Sequence, residues 1–365
     1  MTPRERILTT LNHEPPDRTP TDGWFHHEVI DSLKQHYETD DWSDVLSELG
    51  IEGWADLSPE IVSGDRADQD SLLPGHASGQ PAVWLDERTY EDVWGARFRL
   101  GDDGRYRQWL SGPLEHAETL EDVAGYAMLR EAKILEPEDY PRQVAGLKQQ
   151  ELFVTADLEN PFRRLWNLRG FENALMDYVA NQELLEAVYD SLYKLYTETA
   201  LRMTRAGVDM IKIVGDIAMQ DRVIMGPDLW RQFDKPRMGQ LIDACRQVRP
   251  DVVFFFHRDG KLTDLVDDLV EIGISVLNPI QPECMDPAEV KRRWGDRITL
   301  HGCISLQRTL PFGSPDDVRR EVEDLIRSCG MDGGLILMPS NVIQPDTSVE
   351  NIIACYHAAR DFVPR

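Results

Sequence analysis

From residue 140 to the C-terminus, short apolar runs alternate with amphipathic stretches, and that alternation leaves few folds open. Strands are expected at Leu152–Leu158, Met210–Gly215, Val252–His257, Ser275–Gln281, Ile298–Ser305 and Leu335–Pro339. Helices are expected at 140–149, 161–180, 182–206, 227–248, 261–272, 286–294, 314–329 and 347–362. A strand apolar on both faces is covered on both faces, and strands separated by helices pair in parallel. Upstream, 3–13 reads as an amphipathic helix, 28–50 as helices and 51–56 as a short strand. The Gly-, Asp- and Trp-rich stretch 61–112 reads as an excursion of short antiparallel strands. Five or six clear β-α units plus one or two in the N-terminal third approach the eight of a closed barrel. The expectation is an α/β fold of one domain over 1–365, a (β/α)8 TIM barrel with an N-terminal helical extension and a small antiparallel excursion.

Several of these strands finish in side chains that bind metals or move protons. Phe254-Phe255-Phe256 ends in His257, followed by Arg258-Asp259-Gly260, and Ile298-Thr299-Leu300 ends in His301-Gly302-Cys303. Alternate strand residues face opposite sides. With Ile211 and Ile213 toward the helices, Lys212 and Asp216 face the lumen. The same alternation turns Asp157, His257, Asp259, His301 and Cys303 inward. Ionisable groups are costly to bury unless they pair, bind metal or meet substrate, so their convergence argues for a site. Taken singly, each has a plainer reading: a hydrogen-bonded core histidine, an inert buried thiol, or a structural Lys212–Asp216 ion pair.

Bulk properties exclude some partners. Against 39 Lys and Arg stand 65 Asp and Glu, a formal charge of −26 in 365 residues, which repels nucleic acid and anionic membranes. Five cysteines without a CxxC pair suggest reduced thiols rather than a disulfide framework or a zinc ribbon. The first residues lack an apolar leader core, and no run is long enough to span a bilayer, so a cytoplasmic protein is expected. Apolar positions on 227–248 suit a core face or a homo-oligomer contact equally.

The order of motifs resembles the uroporphyrinogen decarboxylase superfamily, which includes cobalamin-dependent methyltransferases. The resemblance runs from Arg4-Glu5-Arg6-Ile7-Leu8 and Pro15-Pro16-Asp17-Arg18-Thr19-Pro20 through Leu168-Arg169-Gly170-Phe171-Glu172-Asn173, Gly207-Val208-Asp209 and Gly215-Asp216 with Gln220. It continues through His257-Arg258-Asp259-Gly260, Asn278-Pro279-Ile280-Gln281-Pro282, His301-Gly302-Cys303-Ile304, Gly333-Gly334 and Gln344-Pro345-Asp346-Thr347. It implies a (β/α)8 barrel. True decarboxylases of the family carry early arginines that hold substrate carboxylates. Here that region reads Thr21-Asp22-Gly23-Trp24-Phe25-His26-His27, without an arginine. The methyltransferase branch binds zinc through His-x-Cys and a later Cys. The resemblance puts His257 at that histidine, Asp259 at the first cysteine and Asn341 at the late one.

What the resemblance implies is therefore a methyltransferase-like enzyme. It would move a methyl group between a small O-, N- or S-methyl compound and cobalamin or a corrinoid protein, with zinc as an assisting ion. His257 would be a metal ligand or a general acid/base, joined by Asp216, Asp259 or Cys303. Gln220, Gln281, Gln307, Asn341 and Asp157 would contact substrate, and Trp24 and His26 would close over it. The alternative is a metal-free decarboxylase of a small carboxylate, with Asp56 or Asp216 stabilising a developing cation and Arg163 or Arg164 holding the carboxylate. A third option is a binder that kept the barrel and lost the chemistry.

Overall fold

The computed structural model describes residues 1–62, 82–101 and 107–363. A curled, parallel sheet of seven strands forms its centre, and the strands follow chain order across it. They are β1 (Trp54–Asp56), β2 (Phe153–Glu159), β3 (Met210–Val214), β4 (Val253–His257), β5 (Val276–Asn278), β6 (Thr299–His301) and β7 (Leu335–Ile336). Helices connect successive strands, as sequential parallel pairing requires. The extended segment 19–22 lies between the two outermost strands. Leu337 N–H donates to Pro20 O at 2.9 Å, Asp22 N–H to Leu337 O at 3.1 Å, and Glu52 N–H to Thr21 O at 3.3 Å.

Two apolar layers hold the sheet. Inside the curl, Phe153, Met210, Phe255, Val276 and Ile336 pack with Ile7. Ile7 comes from helix α1 (Pro3–Leu11), whose Leu8 and Leu11 join the same cluster and plug the N-terminal end of the strands. Thr2 caps this helix reciprocally with Glu5, and Arg4 anchors it to Asp209 at 2.7 Å, just before β3. The larger cluster lies between the outer sheet face and the helices, and includes Val154, Ile211, Ile213, Phe254, Phe256 and Leu277. Odd and even positions of one strand thus serve two cores.

Some elements differ from expectation for identifiable reasons. The stretch 227–248 is two helices, Pro227–Phe233 and Lys235–Val248, because Pro236 cannot donate within a continuous helix. Asp234 sits at the break, fully buried, and accepts hydrogen bonds from the Tyr178 and Tyr189 hydroxyls at 2.8 and 3.1 Å. Burial pushes its carboxyl up to about 7, against those two hydrogen bonds. The stretch 161–180 likewise divides at Gly170, which has φ +78°. The antiparallel excursion is present as a four-stranded sheet of Ala82–Trp84, Thr89–Asp92, Arg97–Leu100 and Arg107–Ser111. Its remaining stretches, 63–81 and 102–106, lie outside the described residues.

Below the strands, the Glu52 side chain is fully buried between Arg6 at 2.7 Å and Arg18 at 2.8 Å. Removing one partner of a buried pair strands the remaining charge. Arg6→Met is expected to lower stability by about 3 kcal/mol in urea unfolding; an unchanged midpoint would contradict this account of the sheet's base.

Candidate functional site

Parallel strands deliver their C-terminal ends to one rim. β4 ends at His257, in register with Val214 of β3 and Asn278 of β5. Two residues beyond these strand ends stand Asp216 and Asp259. One donor atom from each of Asp216, His257 and Asp259 lies within 4.8 Å of the others. The Asp259 N–H donates to Asp216 Oδ1 at 3.4 Å, and the Asn341 amide donates to Asp259 Oδ2 at 2.6 Å. Burial pushes the Asp259 carboxyl above the usual carboxylate range; nearby His257 and the Asn341 hydrogen bond pull it back, while Asp216 adds to the rise. Trp24 stands edge-on to the His257 ring, with centroids 5.4 Å apart.

A cavity of about 250 Å³ opens beside this group. Gln220, Gln281, Gln307, Asn341, Asp259 and Glu283 line it, and among the described residues no lysine or arginine does. All three glutamines singled out in the sequence therefore share one hollow with Asp259. Gln281 Oε1 accepts from the Gly260 N–H at 3.0 Å, which fixes the amide at the rim. Gly260 has φ +95°, and a Cβ there would stand 2.3 Å from the Met219 carbonyl oxygen. Only glycine lets the loop after His257 lie against the loop after Asp216.

A second polar group occupies the neighbouring strands. Lys212 bridges Asp157 at 2.9 Å and Asp56 at 3.1 Å. Asp56 also accepts from Thr155 Oγ1 at 3.0 Å and Ser58 Oγ at 2.7 Å. Burial pushes the Lys212 pKa down, but Asp157 and Asp56 outweigh it and hold the amine above its ordinary value. Lys212 pairs with Asp157 and Asp56, not with Asp216 as the sequence suggested. Asp56 is thus one arm of an ion-paired cluster whose other carboxylate, Asp157, also feels the charge of His257.

Other residues take places the alternation did not foresee. Cys303 is fully buried in the layer against the helices, where burial, then Cys329 and Glu321, push its thiol well above the ordinary value. It does not join Asp216, His257 and Asp259. The reason is Gly302, whose φ of +70° turns the backbone after His301 and breaks the strand's phase. His26 is the N-cap of the helix His27–His36, with Nδ1 accepting from the Glu28 N–H at 3.3 Å. It does not line the cavity. Arg164 is consumed by Asp92 at 2.8 Å and Glu159 at 2.6 Å.

Sequence reasoning passed over Asn278 and Asp22. His257 Nδ1 lies 2.6 Å from Asn278 Oδ1, Asn278 Nδ2 lies 2.8 Å from His301 Nδ1, and His301 Nε2 lies 3.3 Å from Asp22 Oδ2. Asn278 carries no ligand signature of its own; the available signal was its place at a strand end beside His257. His301 is inside the curl as expected, edge-on to Phe255 and Trp54 at 5.2 and 6.1 Å.

The uroporphyrinogen decarboxylase (URO-D) family model matches residues 138–362. The chain belongs to that family. Over nearly its whole length it is similar to methylcobamide:CoM methyltransferase MtaA of Methanosarcina barkeri, with 27% identity covering 98% of this chain and 97% of the relative. Uroporphyrinogen decarboxylase of Legionella pneumophila strain Corby is 23% identical over 67% of this chain and 70% of its own. A methyltransferase from Methanosarcina mazei shares the fold, with a TM-score of 0.64, 20% identity and 99% coverage of both chains. These end-to-end matches belong to the methyltransferase branch of the family. No helix among the described residues is long and apolar enough to cross a membrane.

One imidazole and two carboxylates, with an open cavity beside them, fit a divalent cation that keeps a position free for substrate. In zinc titrations followed by calorimetry, Asp259→Ala is expected to weaken binding about tenfold or more, as loss of a metal-supporting group does. Cys303→Ala is expected to leave the affinity unchanged; a comparable loss there would put the metal elsewhere.

Proposed function

We propose that this protein is a methyltransferase that passes a methyl group between a corrinoid, free or carried on a protein, and a small O-, N- or S-methyl compound. The observation that carries the reading is the Asp216–His257–Asp259 group opening onto a cavity lined with amides and acids, with no cation among its described lining residues. The end-to-end likeness to the methylcobamide:CoM methyltransferase supports it. The surrounding architecture is read as a closed (β/α)8 barrel of one domain, with segment 19–22 as the eighth stave. Five free cysteines suit a reducing, cytoplasmic setting.

Asp216, His257 and Asp259 would hold zinc, which when bound polarises the heteroatom that gains or loses the methyl group. The remaining work falls to the chain itself. Asn341 keeps Asp259 oriented, and Trp24 covers one side of His257 and limits water. Gln220, Gln281 and Gln307 offer donors and acceptors to a neutral polar substrate of a few heavy atoms, the size a hollow of about 250 Å³ admits. The methyl group moves without its bonding electron pair. In transfer from a methylcorrinoid co-substrate the corrinoid would keep that pair, the acceptor's lone pair would form the new bond, and the acceptor's proton would leave to water. Carboxylate and imidazole donors favour an oxygen or nitrogen acceptor over a thiol, which prefers softer ligands.

A decarboxylase acting on a small carboxylate is the second reading, and one residue speaks for it. Arg163 is half-buried, stacked on Trp166 at 4.6 Å, and has no hydrogen bond or ion pair among the described residues. It is a cation in want of an anion, although it does not line the cavity.

Anaerobic incubation of zinc-loaded protein with methylcobalamin and a panel of small alcohols, phenols, amines and thiols tests the first reading. Methyl transfer that requires zinc and disappears in His257→Ala is the expected result. Absence of transfer to every acceptor, with carbon dioxide released from a small carboxylate in an Arg163-dependent manner, would replace it with the second.

A further inference from the structure

The geometry points to a one-way hydrogen-bond chain, His301–Asn278–His257, that locks the two histidines in opposite tautomers and leaves His257 Nε2 as the ring atom free to coordinate. Asn278 is the polarity-setting member. Its Oδ1 can only accept, so the contact at 2.6 Å places the proton on His257 Nδ1. Its Nδ2 can only donate, so the contact at 2.8 Å makes His301 Nδ1 an acceptor. The His301 proton is then on Nε2, which makes no hydrogen bond among the described residues but faces the Asp22 carboxylate, with Oδ2 at 3.3 Å.

The orientation of the Asn278 amide is decided by its surroundings. Nδ2 also lies 3.4 Å from the His301 carbonyl oxygen. Turning the amide over would set the Asn278 and His301 oxygens against each other there. Asn278 is fully buried, His301 is 1% exposed and His257 8%, so water cannot substitute for a lost partner at the centre of the chain. Gly302 makes the room: a Cβ at that position would stand 2.8 Å from Asn278 Nδ2. The αL turn that removes Cys303 from the rim is the same turn that admits the Asn278 amide.

Asn278, His301 and Asp22 are positioning residues. An imidazole that donates its other N–H to an oxygen is held in ring orientation and made a better donor to a cation. At the far end, the Asp22 carboxylate, 13% exposed, supplies a negative charge three residues removed from the rim. The functional meaning of the chain rests on the metal-holding reading of Asp216, His257 and Asp259. The tautomers themselves do not, and are measurable without any metal.

Two-bond 1H–15N correlation spectra of the metal-free protein at about pH 8.5, where ordinary imidazoles are neutral, provide the test. Signals are assigned by their loss in His257→Gln and His301→Gln. The expected wild-type result is a proton on Nδ1 of His257 and on Nε2 of His301. In His301→Phe, which suits the neighbouring Phe255 and Trp54, the amide loses its acceptor and can turn. There His257 is expected to gain a measurable Nε2–H population. Wild-type His257 protonated at Nε2, both rings in the same tautomer, or an unaltered His257 in His301→Phe would each overturn the inference. Failure of the wild type to take up zinc would instead remove the metal-holding reading and leave the tautomers as measured.

Discussion

Two carboxylates and an imidazole held with donor atoms within 4.8 Å of one another are an unstable arrangement unless a proton or a cation comes between them. Repulsion between like charges grows as water is excluded, and here β4 and its neighbours exclude it from below. The rest of the rim can be understood as accommodation of that fact. Asn341 donates to one carboxylate, a backbone N–H donates to the other, and the imidazole is backed by a neutral amide. Among the described residues no lysine or arginine lines the cavity to neutralise the group. Lys212 on β3 is already clamped by Asp157 and Asp56, while Arg258 and Arg163, whose charges act on Asp216, do not line the cavity.

The sheet supplies this placement cheaply. Consecutive parallel strands in register put His257 beside Asn278 without any long-range loop ordering. Asp216 and Asp259 need only the first two residues beyond their strands. Specific chemistry then depends on short loops, of which the close contact of Gly260 with the Met219 carbonyl is the clearest instance. The scaffold beneath these loops is that of the family.

Much of this was legible from residue order, for physical reasons that also mark where legibility ended. Runs such as Phe254–His257 are apolar on both faces, so period-two reasoning put Lys212, Asp157, His257 and His301 on the inner side correctly. The same reasoning failed at Cys303, because alternation holds only while backbone dihedrals stay extended and Gly302 leaves that region. Expected strands also ran too long: β6 is Thr299–His301, and the residues after it turn where a propensity argument saw continued apolar character. Gln220 and Gln281, beyond strand ends, were found by motif, and the cavity gathers them with Gln307. Asn278 was missed because an asparagine acts through its partners, and those partners become visible only in three dimensions.

X-ray absorption at the zinc edge of the loaded protein tests the central claim most directly, since it reports the elements bound to the metal. The account predicts a first shell of nitrogen and oxygen alone, at about 2.0–2.2 Å. A sulfur scatterer near about 2.3 Å, or a protein that takes up no zinc at all, would contradict it.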